Sequence, residues 1–453
     1  MENKTQLSVM GGGLVGCLLS LYLAKQGYPV AVYERRPDLR RADLAGGRSI
    51  NLALSDRGWR ALETIGISED IKKVAIPMYR RVMHDTQGHL SFQPYGQEGQ
   101  AIYSVSRGGL NRALLDLAEA EPSISLNFEQ QLLEVEVSSN KVSMLDVAAN
   151  KEYQVQPDVI FAADGAYSMV RLSLQKTDRF NYEQSYLDYG YKELTIPPNA
   201  DGSWQLEKNA LHIWPRGQYM MIALPNIDGS FTCTLFFPFE GDLSFASLKA
   251  PEQLREFFQE VFPDAVPLMP DLEQEFFENP TGSLVTVKCL PWRHKGKILL
   301  VGDAAHAIVP FYGQGMNAGF EDCTVLRGLL QEHEHDWDTI FKTFQDLRKP
   351  NTDAIADLAV YNFIEMRDKV ADPRFLLQKK IEAQITAQFP DAWLPLYSMV
   401  TFSPDLPYAQ ALANGKRQEE MMNELMQYIQ SEADYHKPEV QEYLQRHLGK
   451  GSI

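Results

Sequence analysis

Three glycines near the N-terminus have a spacing that suits nucleotide binding. Gly11, Gly13 and Gly16 follow a short apolar run predicted as a strand, and an apolar stretch with helical spacing follows them. The first glycine allows a tight turn, the second lets the backbone approach a pyrophosphate, and the third lets helix and strand pack closely. Glu34, at the end of the next predicted strand, is a candidate acceptor for ribose hydroxyls. This pattern predicts dinucleotide binding and by itself leaves NAD and FAD open.

Two further motifs stand where other strands end. Residues 159–164 and 298–303 are short apolar runs that finish in Asp164 and Asp303, and the glycine-rich stretch 313–317 precedes a predicted helix. Ligands of parallel sheets bind at the carboxyl ends of the strands, so these positions are candidates for a cofactor site. A common turn at Asp164 and a helix cap at Asp303 are the alternative interpretations.

In this order, the three motifs resemble the single-component flavoprotein aromatic hydroxylases. The resemblance implies tightly bound FAD, with Asp303 on the ribityl chain, residues 313–317 along the isoalloxazine edge and Arg107 near the pyrophosphate. The sequence contains no second Gly-x-Gly-x-x-Gly motif, which fits hydroxylases in which NADPH binds transiently, reduces the flavin and leaves. The predicted cofactor contacts are Gly11, Gly13, Val15, Gly16, Glu34, Arg35, Ala53, Arg107, Leu132, Asp164, Asp303, Gly315, Met316 and Asn317.

Longer segments carry a finer resemblance, to the kynurenine 3-monooxygenase family, over nearly the whole chain. The segments are GRSINLALS (47–55), QPYG (93–96), LHIWPR (211–216), PFYGQGMN (310–317), YNFIEM (361–366) and LYSMVTF (396–402). The resemblance implies that an arginine, two tyrosines and an asparagine hold a substrate carboxylate. The predicted substrate-binding residues are Arg81, Tyr95, Asn362 and Tyr397, with Glu365, Met366, Phe237 and Phe239 beside them.

The chemistry of these side chains agrees with that assignment. A guanidinium pairs bidentately with a carboxylate, and tyrosines supply hydroxyl donors on rigid apolar bodies. Asn362 and Met366 are four residues apart, so a helix presents both on one face. The alternatives are a solvated surface position for Arg81, ordinary helix packing for Asn362 and Met366, and core packing for both phenylalanines. His306 is a candidate base, although a histidine that orients the flavin loop is commoner, and no metal site is predicted.

The resemblance implies hydroxylation of L-kynurenine to 3-hydroxykynurenine in tryptophan catabolism, with NADPH, O₂ and a flavin C4a-hydroperoxide. An aniline activates its own ring, so no strong enzymic base is needed. A monooxygenase for another anilino acid and a non-catalytic flavoprotein that binds a partner remain alternatives. A flavin-dependent halogenase is disfavoured because its Trp-x-Trp-x-Ile-Pro string is missing.

The pattern of strands and helices predicts an α/β fold, α+β overall. A Rossmann-like FAD-binding domain (1–75, 100–178 and 290–330) carries an inserted antiparallel β-sheet substrate domain (76–99 and 179–289). A helical C-terminal region follows (331–453), with proline-containing joints near Pro350, Pro373, 390–395 and 404–407.

Composition limits the partners of this chain. Its 60 acidic and 43 basic residues give a net charge of −17, which repels phosphate backbones, so no nucleic-acid partner is expected. The four cysteines lack metal-type spacing and suit free thiols in a reducing cytoplasm. No signal segment or long apolar run is present, so we expect a soluble protein without the C-terminal membrane anchor of the eukaryotic family members. The oligomeric state, a dimer included, is left open.

Overall fold

A six-stranded sheet of short apolar strands forms the first layer of the fold. The computed structural model describes residues 5–41, 51–368 and 372–449, with the side chains of 366–368 outside that description. The strand order is β18 (Arg293–His294), β19 (Ile298–Leu300), β12 (Val159–Ala162), β1 (Leu7–Met10), β2 (Val30–Tyr33) and β8 (Ile124–Asn127). All pairs except β18–β19 are parallel. The fully buried strands β1, β12 and β19 are apolar except for Ser8, as expected for parallel strands covered on both faces.

A seven-stranded, mostly antiparallel sheet forms the second body. Its order is β17 (Gly282–Leu290), β13 (Asn181–Ile196), β16 (Phe231–Pro238), β15 (Met220–Pro225), β14 (Ala210–Pro215), β5 (Arg80–His84) and β6 (Leu90–Pro94). Only β14 and β5 pair in parallel. One face of this sheet packs on α6 (Pro251–Val261) and α7 (Leu272–Glu278) around an aromatic core. Successive side chains of a strand point to opposite faces, so only every second residue of each strand enters this core.

Two smaller sheets and short helices complete the part of the chain before the C-terminal helices. The sheets are β3 (Asn51–Leu54), β7 (Ile102–Ser106) and β4 (Ala75–Met78), and β9 (Gln130–Glu136), β10 (Lys141–Asp146) and β11 (Lys151–Val155). The helices are α1 (Leu14–Lys25), α2 (Asp56–Thr64), α3 (Ser68–Lys72), α4 (Arg107–Glu119), α5 (Met169–Leu174) and α8 (Asp303–His306), with 3₁₀ turns at Val266–Leu268 and Pro310–Tyr312.

The C-terminal part is helical, and one predicted joint in it is wrong. Its elements are α9 (Gly315–His333), α10 (Trp337–Asp368), α11 (Pro373–Gln388), α12 (Leu396–Thr401), α13 (Tyr408–Leu425), the 3₁₀ turn Glu432–His436 and α14 (Pro438–Leu448). Helix α10 runs through Pro350 without a break. Proline removes only one backbone donor, the one for the Asp346 carbonyl, and the rest of this long helix continues past it.

The predicted α/β fold with an antiparallel sheet and C-terminal helices is confirmed. All four cysteines are buried with free thiols. Within the described residues, none of the helices combines the length and the apolar character needed to cross a membrane.

Candidate functional site

The carboxyl ends of β1, β12 and β19 bring the three nucleotide motifs to one edge of the parallel sheet. The three glycines of the first motif differ in their surroundings. A Cβ on Gly11 would lie 2.4 Å from the Ala163 carbonyl oxygen, and one on Gly16 would lie 1.9 Å from the Gly11 oxygen. A Cβ on Gly13 would meet nothing within 4 Å. The outer glycines therefore allow close packing, while the middle one faces open space, as a backbone that approaches a ligand requires.

Glu34 lies beside this turn and is held as a carboxylate. Its oxygens accept from the Gly12 N–H at 2.9 Å, from the Arg36 N–H at 2.9 Å and from Arg36 Nε at 2.8 Å. Burial would raise the pKa of Glu34, but these donors hold that pKa below its ordinary value. Strand β9 begins beside Glu34, where the Gln130 N–H donates to the Glu34 carbonyl at 2.9 Å. Leu132, one of the predicted cofactor contacts, lies on this strand.

The two aspartates at the strand ends have different environments. Asp164 Oδ2 caps α5 by accepting from the Met169 N–H at 2.8 Å, and burial raises the pKa of Asp164. Its Oδ1 is buried without a hydrogen-bond partner among the described residues. Asp303, at the start of α8, is partly exposed and has no hydrogen-bond or ion-pair partner in the described part of the chain. Asp303 is thus available to a ligand hydroxyl.

The loop before α9 is locked by the side chain of Asn317. Its amide donates to the carbonyls of Ala53 and Gly313, both at 2.8 Å, and its Oδ1 accepts from the Ser55 N–H at 2.9 Å. The Asn317 side chain therefore holds the loop, and only its backbone remains for a cofactor. Gly315 begins α9, whose first turn has no side-chain cap, so its N–H groups can face an anionic ligand.

The other predicted cofactor residues surround the same edge. Val15 lies beside Gly302, since a Cβ built on Gly302 would be 3.1 Å from the Val15 side chain. Met316 packs into the core of the parallel sheet. Arg35 and Arg107 are exposed cations without a partner among the described side chains. An open glycine turn, uncapped helix N-termini, free cations and an unpartnered aspartate are the groups that a flavin dinucleotide needs. The residues present fit FAD.

Three side chains from distant segments meet at a second position. The Arg81 guanidinium carbon lies 4.7 Å from the Tyr95 ring centroid and 4.4 Å from that of Tyr397, and the two rings are 5.8 Å apart. β5 contributes Arg81, the residue after β6 is Tyr95, and α12 contributes Tyr397. We call these three residues the Arg81 cluster. Cation–π contacts with both rings hold the guanidinium in place, and a guanidinium is the side chain that pairs bidentately with a carboxylate.

A hydroxyl of this cluster has its hydrogen-bonding capacity unused. Tyr95 is buried, and its Oη has no hydrogen-bond partner among the described residues. Burial raises the pKa of Tyr95, so the hydroxyl keeps its proton and can donate. Tyr312, which sequence reasoning missed, stacks on Tyr397 at 5.6 Å and joins the cluster to the 313–317 loop. A buried donor without a partner beside a guanidinium is the combination of groups that a carboxylate ligand needs.

The remaining predicted ligands lie one layer away from the Arg81 cluster. The Asn362 amide donates to the Phe311 carbonyl at 2.6 Å. Glu365 pairs with Lys379 of α11 at 3.5 Å, and Lys379 also contacts Glu382 at 3.4 Å. The Met366 side chain lies outside the described residues. Tyr397 of the cluster and Asn362 thus both contact the 3₁₀ turn Pro310–Tyr312, through Tyr312 and Phe311 respectively. Glu365 instead faces α11.

The phenylalanine prediction requires a correction of one residue. Phe237 packs in the core of the seven-stranded sheet, against Tyr219 and Phe257, and Phe239 packs over Gly190. The neighbouring Phe236 points to the other face, where its ring centroid is 4.9 Å from that of Phe311. Phe236 also lines a small cleft open to solvent, with Tyr189, Met220 and Phe363. Strand alternation places Phe236, not Phe237, on the side of the candidate site.

His306 is bound into a buried charged network. Its Nε2 lies 2.7 Å from Asp322 Oδ2, which also accepts from the Gly302 N–H at 2.9 Å. Asp322 Oδ1 accepts from Arg348 Nε at 2.7 Å. Burial would raise the pKa of Asp322, but His306 and Arg348 hold that pKa below its ordinary value. This arrangement suits orientation of the Gly302–Asp303 turn, and the described residues contain no cluster of His, Cys, Asp or Glu that could hold a metal.

Comparison with known proteins points to one family. A family model described as an FAD binding domain matches residues 4–359. A kynurenine 3-monooxygenase of Flavobacterium johnsoniae is 51% identical over 441 residues, which cover 97% of this chain and 98% of that protein. The kynurenine 3-monooxygenase of Dictyostelium discoideum is 45% identical, with 93% of each chain covered.

Solved structures share the fold at low identity. A tetrameric 2-methyl-3-hydroxypyridine-5-carboxylic acid oxygenase aligns with a TM-score of 0.65 at 20% identity, over 83% of this chain and 96% of that one. Pseudomonas aeruginosa PqsL in complex with 2-aminobenzoylacetate aligns with a TM-score of 0.62 at 20% identity, over 81% of this chain and 97% of that one. These similarities concern the fold alone.

Proposed function

Because the chain belongs to the kynurenine 3-monooxygenase family of FAD-dependent monooxygenases, we propose that it hydroxylates L-kynurenine on its aromatic ring. Kynurenine, NADPH, a proton and O₂ would give 3-hydroxykynurenine, NADP⁺ and water. The observation that carries the proposal is the Arg81 cluster with its unpartnered Tyr95 hydroxyl, joined through Tyr312 to the loop at the flavin site.

The substrate's carboxylate matches this cluster in charge and hydrogen bonding. In a chain of net charge −17, an anionic group needs a fixed cation at close range. Arg81 supplies the cation, and Tyr95 and Tyr397 supply hydroxyl donors. Asn362 supports the site indirectly, because its amide holds the 3₁₀ turn that carries Tyr312.

The aromatic ring of the substrate would lie toward Phe236 and Phe311. The Phe311 ring centroid lies 4.5 Å from that of Phe363 and 4.9 Å from that of Phe236, so the three rings form one apolar wall, and Phe236 and Phe363 also line the cleft. Apolar walls exclude water from the reacting ring, which is needed when an activated oxygen must reach carbon rather than be lost as peroxide. We propose that carboxylate capture at one end and this wall at the other orient the ring.

FAD supplies the redox chemistry when bound, because it accepts a hydride from NADPH and activates O₂ for transfer of one oxygen atom. The protein's own residues bind and orient. Glu34, Arg107 and Asp303 would hold the cofactor, and His306 would keep the Gly302–Asp303 turn in place through Asp322. The aniline nitrogen activates the ring carbon next to it, so none of these side chains needs to act as a strong base.

The test is mass spectrometry of the product formed from kynurenine, NADPH and O₂ by the purified flavoprotein. We expect one added oxygen atom at the ring carbon beside the amino group. Turnover of an anilino acid that lacks the amino-acid side chain, with none of kynurenine, would favour a different hydroxylase. NADPH consumption that no aromatic acid stimulates would contradict the proposal and favour a flavoprotein without hydroxylase activity.

A further inference from the structure

Arg57, from a distant part of the chain, holds the end of helix α12 and the connection after it, and Arg60 adds a hydrogen bond to the Pro404 carbonyl at 3.2 Å. The carbonyls at the end of a helix lack donors within the helix. Arg57, on α2, donates from Nε to the Val400 carbonyl of α12 at 2.9 Å. In the connection after α12, its Nη2 donates to the Ser403 carbonyl at 3.2 Å and its Nη1 to the Pro404 carbonyl at 3.5 Å. The Nη2 group also donates to the Leu406 carbonyl.

The Arg57 side chain is completely buried, with 0% of its surface exposed. One face of the guanidinium lies 4.0 Å from the Tyr408 ring centroid, and Nη1 pairs with Glu321 Oε1 at 2.8 Å. Glu321 also pairs with Arg348. The charge is therefore matched inside the protein, and the planar fork of Arg57 is held in one orientation.

The same assembly reaches the loop at the flavin site. Tyr408 donates its hydroxyl to Gln314 Oε1 at 2.9 Å, and the Ser55 hydroxyl reaches the same oxygen at 3.5 Å. The Ser55 N–H donates to Asn317 Oδ1 at 2.9 Å. Ser55 is the N-cap of α2, the helix that carries Arg57. Both ends of the site, the loop and α12, are thus tied to α2.

We propose that Arg57 is a positioning residue for substrate capture, an inference that rests on the proposed function. Tyr397, the second residue of α12, makes contact with Arg81 only while α12 keeps its place. Arg57 fixes the end of α12 to α2, and Tyr408 with Gln314 fixes the same region to the flavin loop. Arg57 therefore sets the distance between the carboxylate site and the flavin loop without touching substrate or cofactor.

The first experiment measures steady-state kinetics of an Arg57→Lys variant. Lysine keeps the charge opposite Glu321 but cannot donate to several spread carbonyls at once. We expect the KM for kynurenine to rise about tenfold or more, because a displaced α12 withdraws Tyr397 from Arg81 and so weakens the grip on the substrate carboxylate. The kcat should stay within about threefold and the FAD content should be unchanged. The flavin absorbance change on kynurenine addition should saturate at a correspondingly higher concentration.

Two further variants keep the inference open to contradiction. Tyr408→Phe removes only the hydroxyl bonded to Gln314, and we expect a smaller rise in KM with a lower yield of product per NADPH consumed. Arg255→Lys is the matched control, because it makes the same substitution at a half-exposed arginine of α6 that pairs with Glu273 at 2.8 Å. Its KM should equal that of the unmodified protein.

An Arg57→Lys protein with an unchanged KM would overturn the inference. FAD content and kcat that fall while KM stays constant would show a purely structural role. If Arg57→Lys does not fold, an unchanged KM in Tyr408→Phe overturns the inference instead. Absence of kynurenine-dependent turnover in the unmodified protein would overturn the proposed function, which keeps the two failures distinguishable.

Discussion

Arg80 and Arg81 are neighbours on β5, yet their surroundings are opposite. The Arg80 side chain is 45% exposed and pairs with Glu207 at 2.8 Å. Arg81 points to the other face and contacts the rings of Tyr95 and Tyr397. Strand alternation alone separates a solvated ion pair from a candidate ligand, so the two residues form a natural matched pair for mutation.

Replacing Arg81 with alanine should weaken kynurenine binding by about 2 kcal/mol or more, because the substrate carboxylate loses a charge-assisted partner. Bound FAD should remain, since Arg81 lies in the β-sheet body away from the nucleotide motifs. Titration of the flavin absorbance with kynurenine measures the affinity. Arg80→Ala should bind kynurenine like the unmodified protein. Loss of flavin in Arg81→Ala at unchanged kynurenine affinity would show that Arg81 has been assigned to the wrong site.

The Tyr95 hydroxyl should matter for binding and not for folding. Tyr95→Phe removes an Oη that has no hydrogen-bond partner among the described residues, so no internal hydrogen bond is lost. We expect unchanged or slightly higher thermal stability of the substrate-free protein, and kynurenine affinity lower by roughly 1 kcal/mol. A clear drop in melting temperature without kynurenine would contradict this reading of the hydroxyl.

At the scale of elements, the strand–turn–helix unit of β1 and α1 gives its glycines different duties. A Cβ on Gly16 would collide with the backbone of the turn, whereas one on Gly13 would enter open space. The first effect belongs to packing and the second to ligand approach. The two glycines can therefore be distinguished by experiment, in line with the separate roles that the motif gives them.

Gly16→Ala should lower both the stability of the flavin-free protein and its FAD affinity, because α1 can no longer pack closely on the turn. Gly13→Ala should leave the unfolding midpoint of flavin-free protein nearly unchanged and lower only the FAD affinity. Thermal unfolding without flavin and fluorescence titration with FAD measure the two quantities. Equal stability losses in the two variants would contradict the assignment of the open space at Gly13 to the cofactor.

At the scale of the whole molecule, a buried network joins the parallel sheet to α10. Asp322 receives donors from Gly302, His306 and Arg348, and only 1% of its side chain is exposed. Because its pKa in the folded protein is lower than in the unfolded chain, the carboxylate stabilises the fold fully above the unfolded value of about 3.9. That contribution is lost as the pH falls through the folded pKa.

Asp322→Asn should lower the free energy of unfolding at neutral pH by about 3 kcal/mol, because Arg348 keeps a buried charge with one fewer partner. The difference in the free energy of unfolding between this variant and the unmodified protein should be constant above about pH 5 and should become smaller below about pH 4. Urea unfolding at fixed FAD concentration over this range measures it. Asp346→Asn, which removes an exposed pair with Lys342, is the control and should change little. A gap that widens in acid would contradict the lowered pKa.

The predicted boundaries of the three regions, the cytoplasmic location and the roles of the site residues stay predictions at this scale. The sheets nevertheless draw their strands from separated segments, since β5 and β6 join strands that come more than a hundred residues later. Register and apolar pattern make β1, β2 and β12 recognisable locally. The pairing of β5 with β14 is not recognisable in this way, because pairing between distant strands leaves no local signal.

The sequence by itself determined the nucleotide motifs, the fold class and the family, because glycine turns, apolar runs and long specific strings are local properties of the chain. Only the tertiary structure decided that Phe236 rather than Phe237 faces the site and that Tyr312 links the Arg81 cluster to the flavin loop. It also decided the contacts of Arg57, whose acceptor Val400 lies 343 residues away in the chain. Contacts of that kind depend on which buried groups need partners, and that need arises only when the elements pack.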